Sequence, residues 1–234
     1  MSFRILAGLA LLAGLVAGSL AARAAGDNEL SPAEKADGWI LLFDGKTLDG
    51  WMNSNREPSK TPVDSGCINP HKSGGYMMIH EKQWANYELA LDFKISKGCN
   101  SGIFVRTFPL TPRSGKDVGF NGIEIAIDDT TTAGFHDTGA VYDLVKPSRN
   151  AMKPAGEWNH ALVTCNRNLI TVAINGDTVT RMDLDQFPEP NKRPDGTEHK
   201  FDVAYKKHPR RGGYNPRSLM FLYQQGEPWS CSPI

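Results

Sequence analysis

Gly122-Ile123-Glu124-Ile125-Ala126-Ile127-Asp128-Asp129 alternates strictly between two kinds of residue. Side chains two apart share one face of a β-strand, so Ile123, Ile125 and Ile127 form one side and Glu124, Ala126 and Asp128 the other. The isoleucine side is a core side. The opposite side carries two carboxylates with only a methyl between them, which gives charge beside open space. Such a strand lines a groove; a half-buried strand with an ordinary polar side is the plainer alternative.

The same period appears on both sides of this stretch. Upstream, Tyr87, Leu89, Leu91, Phe93 and Ile95 alternate with Glu88, Ala90, Asp92 and Lys94. Ser101 to Phe108 is a further strand; with Ile103 and Val105 in the core, Gly102, Phe104 and Arg106 point away from it. Leu41-Leu42-Phe43, Tyr76 to Ile79, Ala140 to Leu144, residues 158–165, 169–174, Thr178-Val179 and Ser218 to Tyr223 supply more short strands. Turn residues separate them, among them Asp44-Gly45, Gly74-Gly75 and the hairpin dipeptide Asn175-Gly176. Residues 186–217 form a long Pro-, Lys- and Gly-rich loop, of a length that is usually functional or mobile. No segment longer than about ten residues has apolar spacing at helical period. Short strands with Gly and Pro turns predict an all-β, two-sheet antiparallel sandwich.

Residues 1–24 read as an export leader: Arg4, an apolar run from Ile5 to Leu20, and the cleavage signal Ala22-Arg23-Ala24. Residues 25–234 are then one domain, periplasmic or secreted, with no membrane association after cleavage. The 234-residue chain has 26 basic and 26 acidic residues, and loss of Arg4 and Arg23 leaves a net charge of −2. With no basic run, nucleic acid is not an expected partner. Cys67, Cys99, Cys165 and Cys231 match no zinc spacing. In an exported protein they form disulfides, and positions along the chain suggest Cys67–Cys99 and Cys165–Cys231.

Five ordered motifs then resemble a known family. They are Leu42-Phe43-Asp44-Gly45-Lys46-Thr47-Leu48-Asp49-Gly50-Trp51, Asn100-Ser101-Gly102-Ile103-Phe104-Val105-Arg106, Gly122-Ile123-Glu124-Ile125, Thr138-Gly139-Ala140-Val141-Tyr142 and Pro154-Ala155-Gly156-Glu157-Trp158-Asn159. Together they resemble the 3-keto-disaccharide hydrolases over about residues 38–180. The resemblance implies a concanavalin A-like or laminin G-like jelly roll, secretion, and action on oxidised sugars. Leu222-Tyr223-Gln224-Gln225-Gly226 stands where members have a Leu-Gln-x-His-Gly run.

The candidate catalytic residues are Glu124 as a base, Arg106 as a cation polarising a ketone, and Tyr142 or His136 as proton donor. Asp128, Asp143 and Phe104 are candidates for binding substrate, an oligosaccharide or 3-keto-glycoside. Glu124 and Asp128 lie four residues apart, so their backbones are roughly 13 Å apart at ~3.3 Å per residue. Paired glycosidase carboxylates sit about 5–10 Å apart, so these two are not a conventional acid/base pair. Asp128 and Asp129 instead suit sugar hydroxyls, a Ca²⁺ ion or an ordinary loop cap. Trp51 and Trp158, in turn motifs, read as core plugs. A non-catalytic carbohydrate-binding module and a laminin G-like interaction domain are the alternatives to an enzyme, since one fold hosts all three.

Overall fold

In chain order the strands are β1 (Phe3–Ala7), β2 (Trp39–Leu41), β3 (Trp51–Met52), β4 (Val63–Asp64), β5 (Cys67–Ile68), β6 (Met78–His80), β7 (Tyr87–Lys94), β8 (Asn100–Val105), β9 (Ile123–Asp128), β10 (Trp158–Asn166), β11 (Leu169–Ile174), β12 (Asp177–Asp183) and β13 (Phe221–Gln225). This computed structural model describes residues 3–7, 28–53, 55–70, 78–82, 84–107, 121–209 and 221–225. One antiparallel sheet runs β12-β11-β10-β7-β1-β2, and a second runs β3-β6-β13-β8-β9. The small hairpin β4-β5 stands apart from both. The architecture is a two-sheet β-sandwich of the jelly-roll class.

Alternation sets the register. On β7, Tyr87, Leu89, Leu91 and Phe93 all turn inward, and on β10 so do Ala161, Val163 and Cys165. The pairing Leu91↔Ala161 and Leu89↔Val163 keeps the apolar sides together. Ile103, Val105, Ile123, Ile125 and Ile127 close the core from the other sheet. Burying one such side chain contributes about 1.5–3 kcal/mol, so the two apolar faces hold the sheets together. Trp51 is a core plug as expected, its indole N–H donating to the Leu42 carbonyl at 2.7 Å. Trp158 is not: it is half-buried at the start of β10, under the Lys94 ammonium.

The family-like motif that ends at Asn159 is a buckle. Gly156, at φ +92°, turns its N–H to the Ile95 carbonyl. The buried Asn159 side chain accepts from Lys153 N–H and from the Asn175 amide, each at 2.8 Å. Asn175 in turn accepts from His160 N–H, so the Asn175-Gly176 hairpin and the 150s loop lock together.

The strand β1 lies inside the segment that reads as an export leader. It fills the slot between β2 and β7, with Ile5 opposite Ile40 on one side and Leu89 on the other. An apolar run suits a core strand as well as a leader. The expected cysteine pairings are overturned. Cys99 and Cys165 are free and buried, while Cys67 is disulfide-bonded. Cys165 faces the core beside Tyr87, whose hydroxyl donates to it. Both free thiols are packing groups; burial, with Asp129 and Asp128 nearby, pushes Cys99 up to about 12. Cys231 lies outside the described residues.

Candidate active site

The site lies on the outer face of the β9 edge. Glu124 on β9 is the Cα partner of Phe104 on β8. Its side chain needs room there, and Gly102 gives it: a Cβ on Gly102 would meet Glu124 Oε1 at 2.6 Å. Among the described residues no full strand pairs with the free side of β9. The segment 139–142 lies alongside instead, with Gly139 N–H donating to the Ala126 carbonyl and Tyr142 N–H to the Glu124 carbonyl, both at 2.9 Å. Val141 bridges Ile125 and then Val145, so the expected strand from Ala140 to Leu144 hooks back as a turn. Gly139 sits at φ +88° with Val179 where a Cβ would go, which explains its place in the motif. Tyr142 is thereby held directly opposite Glu124, on the same face.

Glu124 is half-buried, and burial raises its carboxyl to about 7, against a downward pull from the Lys200 charge. A carboxylate poised there can both take and return a proton at neutral pH. Around it the sequence candidates sort themselves. His136 is exposed and stacks on Tyr142, ring centres 4.6 Å apart. Phe104 is buried beside Glu124 on the same face. Asp128 is at the far end of β9, where burial raises its carboxyl; it accepts from the Thr130 hydroxyl at 3.0 Å.

Asp143 is next to Tyr142, but its polar atoms are taken. Its backbone is left-handed, at φ +57°. One carboxylate oxygen accepts from Arg193 at 2.5 Å and the other from Lys200 N–H at 2.8 Å. Arg193 also donates twice to the Asp143 carbonyl and lies 4.0 Å over the Phe135 ring. Asp143 is thus the anchor that pins the loop after β12 onto the β9 edge. That loop is held shut on itself by Arg193 N–H to Thr197 and by Phe187, His199, Phe201 and Tyr205, which pack ring on ring. At the end of this loop Lys206 and Lys207 are exposed, whereas His208 is buried, its Nε2 3.2 Å from the Asn121 carbonyl.

Arg106 is not brought to Glu124. Its residue is left-handed at φ +55°, just past the end of β8, so the alternation that would have turned it outward breaks there. The side chain is 1 % exposed and acts on Tyr87 and Cys165 in the core. The residue that sequence reasoning misses is Lys200. Its ammonium lies 4.1 Å over the Tyr142 ring and 5.4 Å from that of Phe201. The only signal in the sequence is the length of the loop that carries it.

Asp128 and Asp129, the residues considered for calcium, make local contacts. Asp129 caps a turn, accepting from Gly98 N–H at 2.8 Å, and Asp128 holds Thr130. Among the described residues no three His, Cys, Asp or Glu side chains converge as a metal-binding group.

Comparison with known proteins bears on the family and the fold. The 3-keto-alpha-glucoside-1,2-lyase-like domain matches residues 38–211. A 3-keto-disaccharide hydrolase of Bacteroides thetaiotaomicron is 28 % identical over 219 residues, covering 82 % of this chain and 75 % of that protein. Two crystal structures of putative glycosyl hydrolases from Parabacteroides distasonis are similar in fold. One superposes with a TM-score of 0.62 at 22 % identity, over 84 % of this chain and 95 % of the other. The second gives 0.53 at 26 % identity, over 64 % and 83 %.

Proposed function

This chain belongs to the family of 3-keto-alpha-glucoside-1,2-lyase-like domains, and on that premise we propose that it cleaves the glycosidic bond of 3-keto-disaccharides or other 3-keto-glycosides. One observation carries the mechanism: a half-buried carboxylate, Glu124, raised to about 7 and set beside a tyrosine on the outer face of β9.

The chemistry follows from the ketone. A C3 carbonyl acidifies the hydrogen on C2. Glu124 takes that proton, and the electron pair passes to the C3 oxygen as an enolate. The enolate collapses with loss of the C1–O bond, and the departing oxygen receives a proton from Tyr142 or His136. Water then adds to the unsaturated sugar. A group with a pKa near the working pH suits the first step, because it is strong enough to remove the proton and still present as the base. Phe104 and Tyr142 offer apolar and aromatic surface to the sugar ring.

Purified protein assayed on 3-keto-trehalose or a 3-keto-glucoside tests this directly. Sugar release is the expected result. Binding of plain glycans with no release, unaffected by Glu124→Gln, would replace the enzyme with a carbohydrate-binding module. The export proposal rests on residues 1–24 and has its own test. Protein recovered outside the cytoplasm should begin at Ala25, and recovery with residues 1–24 intact would refute cleavage. Because β1 lies within that leader, cleavage also leaves β2 and β7 without the strand between them.

A further inference from the structure

The mechanism above needs a positive group for the enolate oxygen, and Arg106 is buried away from the site. Among the described residues, the cation nearest that role by geometry is Lys200. We propose that Lys200 is a catalytic residue of this site, receiving the C3 oxygen of the substrate as it becomes an enolate. The inference rests on the proposed function.

Three observations place it. The Lys200 ammonium lies 4.1 Å over the ring of Tyr142, and Tyr142 is bonded through its backbone to Glu124. The Lys200 backbone is fixed as well, its N–H donating at 2.8 Å to an Asp143 carboxylate whose other oxygen holds Arg193. Finally, its charge is felt by the Glu124 carboxyl, which it pulls downward. Two aromatic rings orient the ammonium, and rings attract a cation without neutralising it as a carboxylate would. The charge stays available for oxygen that turns negative in the transition state.

The arrangement also separates the two roles. Glu124, on β9, removes a proton; Lys200, on the loop, meets the charge that appears two bonds away on O3. Asp143 and Arg193 are positioning residues that bring the loop to the strand. No proton moves to or from Lys200 in this step, so the atoms and electrons of the elimination balance as written.

Kinetics of Lys200→Met and Lys200→Arg on a 3-keto-glucoside decide the matter, with melting temperatures measured alongside. Lys200 is exposed, so both variants should melt within about 2 °C of the wild type. Loss of the charge should lower kcat by about 10²–10³-fold, the usual cost of removing one oxyanion donor. KM should change much less, and Lys200→Arg should retain more activity than Lys200→Met. A structural pin for the loop would instead lower the melting temperature, or raise KM with kcat intact, and either pattern overturns the inference. An active wild type with kcat of Lys200→Met within threefold also overturns it while leaving the proposed function standing. An inactive wild type overturns both.

Discussion

The β7–β10 pair and the β9 edge are built on the same alternating pattern and use their polar faces in opposite ways. On β7–β10 the charged side chains of the outer face are half-buried or exposed, and two cross-strand contacts form among them. Asp92 and His160 lie 2.9 Å apart, and the Lys94 ammonium rests over Trp158. On β9 the polar face is covered. Tyr142 lies alongside, Gly102 leaves a pocket for the carboxylate, and the loop after β12 brings Lys200 close. In the first setting Asp92 is paired with His160, and half-burial raises the Glu88 carboxyl. In the second, deeper cover raises the Glu124 carboxyl to about 7. The lesson is that the strand pattern places a charge on a face, and the cover over that face decides what chemistry the charge can do.

The contrast can be broken from its inner side first. Phe93 on β7 is fully buried between the sheets. Phe93→Ala should cost about 3–5 kcal/mol of stability, read as a lower urea midpoint, because the cavity cannot be filled by rigid neighbours. A loss under about 1 kcal/mol would mean that the sandwich core is not packed as described.

The second test concerns the covered face. Unfolded, the Glu124 carboxyl titrates at its ordinary value of 4.5; folded, it titrates at about 7. Between those values the folded state holds a proton that the unfolded state has released, so stability falls as pH rises through that window. Glu124→Gln should therefore be more stable than the wild type at pH 8, by about 3 kcal/mol, and similar to it at pH 4. Denaturant melts at the two pH values check the sign. A variant less stable at pH 8 would show that Glu124 is held by a partner and not penalised by burial.

The smallest effect is expected on the open face. Asp92→Asn removes a half-exposed ion pair and should change stability by less than about 1 kcal/mol. Added salt should shrink even that. A loss comparable to that of Phe93→Ala would erase the distinction between the two faces.

Much of this was legible in the sequence, and the boundary is instructive. Tyr87 to Lys94 and Ile123 to Asp128 declared both period and inward side, because each has strands as neighbours and the pleat alone decides direction. Glu124 and Tyr142 were legible for the same reason. Arg106 was not, since one left-handed residue reverses the side to which it points. Asp143 showed its carboxylate but not its partners, which lie 50 and 57 residues further along. Lys200 gave no local signal, because a loop has no period from which to read a face. The cysteines misled for a related reason: Cys99 and Cys165 are near plausible partners in sequence terms, while their side chains are packed in the core as small apolar groups.

If Glu124 is the base, set for its task by the cover over β9, its protonation must govern the rate. The pH dependence of kcat/KM on a 3-keto-glucoside, for the wild type and for Glu124→Gln, tests it most directly. The wild-type rate should rise with pH through a limb near 7, as the carboxyl loses its proton, and level off above it. Glu124→Gln should be slower by about 10²–10⁴-fold and lack that limb. A wild-type profile flat from pH 5 to 9, or the same limb in Glu124→Gln, would contradict the account.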